Sequence, residues 1–164
     1  MDKDIFCEGI RIHEKAMYSL AFSLVRNETD AADVIGEAIL RAYKNMDSLK
    51  NEKAFKTWIL KIVHNTAIEY IRKNTKIVQM QEIKIIDENN TAGIETETKL
   101  TLQKAVESLK QPYRTIVILY YYEDLSMKEI SSITQSTTIA VKQQLSRARK
   151  QLREILKEDF KYEY

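Results

Sequence analysis

Only three of the 164 residues are glycine and one is proline. A fold built of strands needs such residues at its many reversals, so their scarcity, beside 30% charged residues, points to an all-α chain. Cysteine is equally scarce. The single Cys7 excludes an internal disulfide framework, and there is no cysteine pair with histidines at zinc spacing. Cys7 reads as an ordinary thiol in a reducing compartment. No apolar run reaches the roughly 18 residues needed to cross a bilayer, and the opening MDKDIFCEG lacks the basic-then-apolar order of a secretory leader. The expected location is cytoplasmic, with no direct membrane insertion. Nor does any nucleophile, carboxylate pair or metal cluster stand in a recognisable catalytic constellation. The expectation is a protein that binds and does not catalyse, with no cofactor, no metal and no small-molecule substrate.

Net charge is also small, +2, which excludes a general polyanion binder. Its distribution is more informative. Glu28, Asp30, Asp33 and Glu37 crowd one stretch with only Arg26 nearby, whereas residues 142–153 hold Lys142, Arg147, Arg149, Lys150 and Arg153 with no acid among them. Faces of opposite sign for opposite partners would produce this asymmetry, and so would chance on a helical surface.

Hydrophobic spacing predicts a helix over residues 3–26, with Phe6, Ile10, Met17, Leu20, Ala21, Leu24 and Val25 on its inner face. NETD breaks it, and Thr29 or Asp30 is the expected cap of the next helix. Val34, Ile35, Ala38, Ile39, Ala42 and Tyr43 bury that helix. After a polar loop, MDSLKNEK, a long pattern runs from about Ala54 to Arg72 through Phe55, Trp58, Ile59, Ile62, Val63, Ile68 and Ile71. Three such helices can close one small core.

From about 76 to 98 the periodicity fades into IDENNTAGIETET, which offers little apolar surface to offset the entropy of ordering it. A domain boundary and flexible linker are expected there. Helical pattern returns at Leu100, Val106 and Leu109, and again after Pro112, which suits a first helical turn. Tyr120, Tyr121 and Tyr122 in a row invite a stacking platform, but a helix sends neighbours to different sides, favouring core and boundary packing.

Ser126 and Glu129 then have the S-x-x-E spacing of a capping box. Ile130 and Ile133 face inward, TQSTT interrupts after about two turns, and Thr137 can cap again. In the following VKQQLSRARKQL, Val141, Leu145, Ala148 and Leu152 form one narrow stripe. Lys142, Ser146, Arg149, Lys150 and Arg153 fall opposite, with Gln143 and Arg147 at the edge. Taken alone, this basic face is readily a solvated surface. Behind a capped short helix and a tight turn it is a helix-turn-helix, whose second helix offers cations to phosphates and polar side chains to base edges.

At these residues the chain resembles the extracytoplasmic-function group of bacterial RNA polymerase sigma factors. DAADVIGEAILRAYKNMDSL (30–49) is similar to the family's core-binding helix and AFKTWILKIVHNTAIEYIRK (54–73) to its promoter-melting helix. EDLSMKEIS with VKQQLSRARKQL is similar to its helix-turn-helix. The resemblance implies an all-α architecture of two small domains on a flexible linker: sigma domain two at 1–76, linker at 77–98 and sigma domain four at 99–164. It implies contact with RNA polymerase core through Asp33, Glu37, Ile39 and Arg41, the two acids lying four residues apart on one helical face. The minus-ten element would meet Leu49, Lys50, Lys56, Lys61, His64, Asn65 and Arg72, with Asn65 holding a flipped base and the cations lining phosphates. Trp58 is the tempting wedge, though its place favours core packing. The minus-thirty-five element would meet Thr138, with Lys142, Gln143, Ser146 and Arg147 toward bases and Arg149 and Lys150 toward phosphates. An anti-sigma factor, often membrane-anchored, is the further implied partner.

Departures from the family pattern are Gly36, Gln135 and Gln144, where Gln, Gly and Arg are usual, and the displacement of Pro112. The competing assignment is a stand-alone helix-turn-helix repressor or activator, dimeric on a palindrome, but residues 1–74 would then have no purpose. Two further expectations follow from the weak charge balance and the tether. The free protein should bind duplex promoter DNA poorly, and the two modules should pack as separate cores.

Overall fold

The computed structural model describes residues 1–81 and 97–160. Among them are seven α-helices and no strand: α1 (Lys3–Val25), α2 (Glu28–Lys44), α3 (Phe55–Gln81), α4 (Glu97–Ser108), α5 (Tyr113–Val117), α6 (Met127–Thr134) and α7 (Thr138–Phe160). None of the described helices is long and apolar enough to cross a membrane. Most of the expected linker, residues 82–96, lies outside the described residues; its flanks, 77–81 and 97–98, are helical.

The first module is α1, α2 and α3. Helix α1 ends when Arg26 turns left-handed at φ 55°, and extended Asn27 caps α2 by accepting a hydrogen bond from the Asp30 backbone N–H at 3.0 Å. The cap is therefore Asn27, in place of Thr29 or Asp30. The corner is only two residues long, so the helix starts earlier than its apolar pattern does. Asp30 is freed to accept from the Tyr70 hydroxyl at 2.6 Å, tying α2 to α3. Gly9 permits a close approach between α1 and α3: a Cβ there would stand 2.7 Å from the Phe55 ring. That ring stacks on His13 and meets Phe6 edge-on.

Gly36 has no such purpose. An added Cβ meets nothing within 4 Å, and the position is exposed inside α2. Gly36→Ala should therefore stabilise the protein by about 1 kcal/mol, the intrinsic helix difference, read as a higher urea midpoint with unchanged slope.

The second module is α4 to α7. Pro112 precedes α5 as its N-cap, one position ahead of the expected first turn. A single π-helical turn, Ile118–Tyr122, continues α5. The expected capping box is formed: Ser126 Oγ accepts from the Glu129 N–H at 3.1 Å, and a Glu129 carboxylate oxygen accepts from the Ser126 N–H at 3.2 Å. Thr137 caps α7 by accepting from the Ala140 N–H. Between the helices Gln135 adopts φ 56°, ψ 42°. Glycine is the default at such a left-handed C-cap, and Gln135 makes the turn without it.

The modules do not keep separate cores. One continuous apolar interior runs from Phe6, Met17 and Leu20 through Ile59 and Val63 to Ile116, Leu119, Ile130, Val141 and Leu145. A smaller cluster, Val106, Leu109, Val117 and Ala148, closes α4 against α5 and α7. The seam also carries buried polar bonds. Arg114, itself buried, donates from Nε to the Ser23 carbonyl at 2.8 Å and from Nη1 to the Leu109 carbonyl at 2.9 Å. Gln111 donates to the same Ser23 carbonyl, and the Ser23 and Thr115 hydroxyls meet at 3.0 Å. Burial pushes Arg114 down to about 10, still cationic at neutral pH. The expectation of separate packing fails because an apolar stripe on α1 and α3 is wide enough to serve two neighbours, and periodicity counts residues without saying which neighbour covers them.

Candidate protein and nucleic-acid interfaces

On α2, Asp33 and Glu37 are both exposed, one turn apart, outside the merged core. Glu37 accepts from Arg41 Nε at 3.0 Å, and Arg41 Nη2 reaches Glu69 of α3 at 2.8 Å. The Arg41 guanidinium holds the Glu69 carboxyl below its usual range. A shallow depression of about 240 Å³ between α2 and α3 is edged by Asp33, Glu37, Glu69 and Lys73. Glu69 is a member of this acidic rim that residue spacing does not reveal, because only packing brings α3 beside α2. Arg41 is its internal counter-charge. Ile39 is half-buried against the core, so it supports this face more than it presents itself.

The residues expected at the minus-ten element divide in two. Lys61, Asn65 and Arg72 follow at helical spacing along one side of α3, where Arg72 is exposed and the other two are half-buried. Lys50 is exposed in the preceding loop, and Leu49 packs against the core. Lys56 is elsewhere: its Nζ donates to the Glu123 carbonyl at 2.8 Å, across the seam between modules. Beside it the Thr57 hydroxyl donates to Glu129 Oε2 at 3.0 Å. In this closed arrangement Lys56 is held by the second module and does not join the other cations. His64 is disfavoured as a cation too. Burial lowers its pKa, outweighing a hydrogen bond with Asn65 that raises it, and its Nδ1 is buried without a partner. Trp58 is half-buried against the core beside the Phe55 ring, 5.6 Å between centroids, as its spacing predicts.

On α7 the buried stripe is Val141, Leu145 and Ala148, each at 0% exposure. Thr138, Lys142, Gln143, Ser146, Arg147 and Lys150 are all exposed; the last five share the side away from the stripe and make one cationic, hydrogen-bonding surface, with Thr138 at the start of the helix. Arg149 is not part of it. Its guanidinium lies over the Tyr120 and Tyr121 rings, 5.7 and 5.6 Å from their centroids, and donates to the Tyr121 hydroxyl. At 100° per residue Arg149 stands only about 40° from Leu145, so it borders the buried stripe and braces α7 against the π-helical turn. Tyr120 packs at the core boundary, as expected, while Tyr121 and Tyr122 remain about half exposed, at 49% and 54%.

The chain thus carries an acidic surface on its second helix, a polar and cationic side on its third, and a basic helix-turn-helix at its end. Family models for Sigma-70 region 2 and Sigma-70, region 4 match residues 10–77 and 99–152. The chain is 40% identical over 159 residues to the RNA polymerase sigma factor SigV of Bacillus subtilis (strain 168), covering 96% of this chain and 95% of SigV. It is 29% identical to the ECF RNA polymerase sigma factor SigW of the same organism, covering 96% and 91%. Among solved structures it is similar to the sigma factor RpoE in complex with the anti-sigma factor NepR from Bartonella quintana. There the TM-score is 0.81 at 25% identity, with 95% of this chain and 98% of that one covered. Matches in both modules, in the right order and over nearly the full length, leave one conclusion: the chain belongs to the extracytoplasmic-function group of RNA polymerase sigma factors.

Proposed function

We propose that this sigma factor joins RNA polymerase core through the Asp33 and Glu37 face of α2, directs it to promoters and begins opening the duplex. The observation that carries the reading is the separation of charge. The exposed carboxylates Asp33 and Glu37 stand one turn apart on α2, and residues 138–153 of the last helix present exposed cations with no acid among them. In this reading residues 1–76 hold core and the minus-ten element, 77–98 link, and 99–164 hold the minus-thirty-five element. Lys50, Lys61, Asn65 and Arg72 meet the minus-ten strand; Thr138, Lys142, Gln143, Ser146, Arg147 and Lys150 meet the minus-thirty-five duplex. The work is binding throughout, without a bond broken by the chain itself. It takes place in the cytoplasm, beside the polymerase.

The closed seam supports the expected weakness of the free protein toward duplex promoter DNA. Lys56 is engaged by Glu123, and two short elements must be bridged at a spacing that polymerase would impose. An anti-sigma factor, membrane-anchored in this reading, would govern access to the same surfaces. The test is transcription from a promoter library by purified core polymerase with and without the chain. Transcripts that depend on the chain and share two upstream elements are expected; an identical transcript set in both reactions would overturn the reading.

A further inference from the structure

Ile139 is the most exposed large apolar side chain among the described residues, at 70%. It sits in the first turn of α7, just inside the Thr137 cap. Scattered apolar residues are ordinary on a protein surface, so exposure alone decides nothing; placement does. At 100° per residue Ile139 lies about 20° from Ser146 on one side and about 20° from Lys150 on the other. It therefore heads the file Ile139, Lys142, Gln143, Ser146, Arg147, at spacings of three, four, seven and eight. Every other member is polar and exposed, and no acid interrupts residues 138–153. Ile130 and Ile133, on the neighbouring helix of the same motif, are fully buried. Nothing in either core calls for an apolar group at Ile139.

A helix-turn-helix presents the N-terminal residues of its second helix to base edges in the major groove. The apolar feature of that groove is the thymine C5 methyl, which aliphatic side chains contact. The cations on the same face supply the charge complement for DNA. We propose that Ile139 is a specificity-determining residue that reads one thymine methyl in the minus-thirty-five element. The proposal rests on the sigma reading above and adds to it a base preference that the polar residues of the face do not supply.

Deoxyuridine lacks only that methyl, so it isolates the contact. With full-length chain and core polymerase, each minus-thirty-five thymine on either strand is replaced singly by deoxyuridine, and complex formation is measured by competition. One position should weaken wild-type binding about three- to fivefold, the worth of burying one methyl. Ile139→Ala should weaken the thymine promoter to a similar degree and lose sensitivity at that position alone. Thermal unfolding of Ile139→Ala should match wild type, since the side chain touches neither core. Silence at every deoxyuridine position in wild type, or equal sensitivity in wild type and Ile139→Ala, would overturn the proposal, and in the second case Ile139 faces a protein instead. Failure of the sigma reading looks different: no chain-dependent complex forms on any promoter, and this proposal falls with it.

Discussion

Replacing Asp33 and Glu37 together by lysine will abolish retention of the chain on immobilised RNA polymerase core, with affinity lowered by at least about a hundredfold. Both carboxylates are exposed one turn apart on α2, and the double reversal puts two cations where a basic partner surface would dock. Like charges juxtaposed at an interface cost several kcal/mol, whereas the fold loses only the surface pair between Glu37 and Arg41 at 3.0 Å, worth about 0–1 kcal/mol. Arg41 keeps Glu69, so the helical circular dichroism should be unchanged. Unaltered retention of a folded double variant would place the core-binding surface elsewhere and remove the main support for the proposed docking face.

The second large effect concerns the seam between modules. Ser23→Arg should open the molecule while leaving each module helical. Ser23 is 3% exposed and meets Thr115 across the seam, beside the already buried Arg114. A further guanidinium there joins two cations, Arg114 and Arg26, against the single carboxylate of Glu107 that acts on Arg114, and an uncompensated charge at so dry a site costs several kcal/mol. About 3 kcal/mol already shifts an equilibrium by roughly a hundredfold. Small-angle scattering should give the wild type a radius of gyration near the ~15 Å of a compact chain of this length, and the variant a clearly larger one. An unchanged radius for the Ser23→Arg chain would mean that the seam tolerates the charge and that the shared core alone holds the modules together.

Much of this molecule is legible from residue spacing. The inner faces of α1, α2 and α3, the capping box at Ser126 and Glu129, the Thr137 cap and the basic file of α7 all depend on contacts within a few residues of chain, which periodicity and capping chemistry describe directly; Tyr43, expected on the buried face of α2, is instead exposed at its end. Spacing misleads where a second element intervenes. Arg149 is expected on the outer face, yet helical spacing sets it only about 40° from Leu145, and two tyrosines from the π-helical turn hold it at the edge of the buried stripe. Spacing groups Lys56 and His64 with the strand-binding cations, but one is held by Glu123 and the other is half-buried where desolvation disfavours its charge. Asn27 escapes notice as a cap because the shortness of the corner depends on Arg26 adopting a left-handed conformation.

The sequence by itself determined the helical class, the order of two modules and the segregation of acidic from basic surface, because these follow from local spacing and from charges that no folding step moves along the chain. Tertiary structure alone decided that the modules share one interior, that Glu69 joins the acidic rim, and which cations remain free. Those outcomes depend on which faces meet across long separations in sequence, and an apolar stripe records its need for a partner without recording the partner.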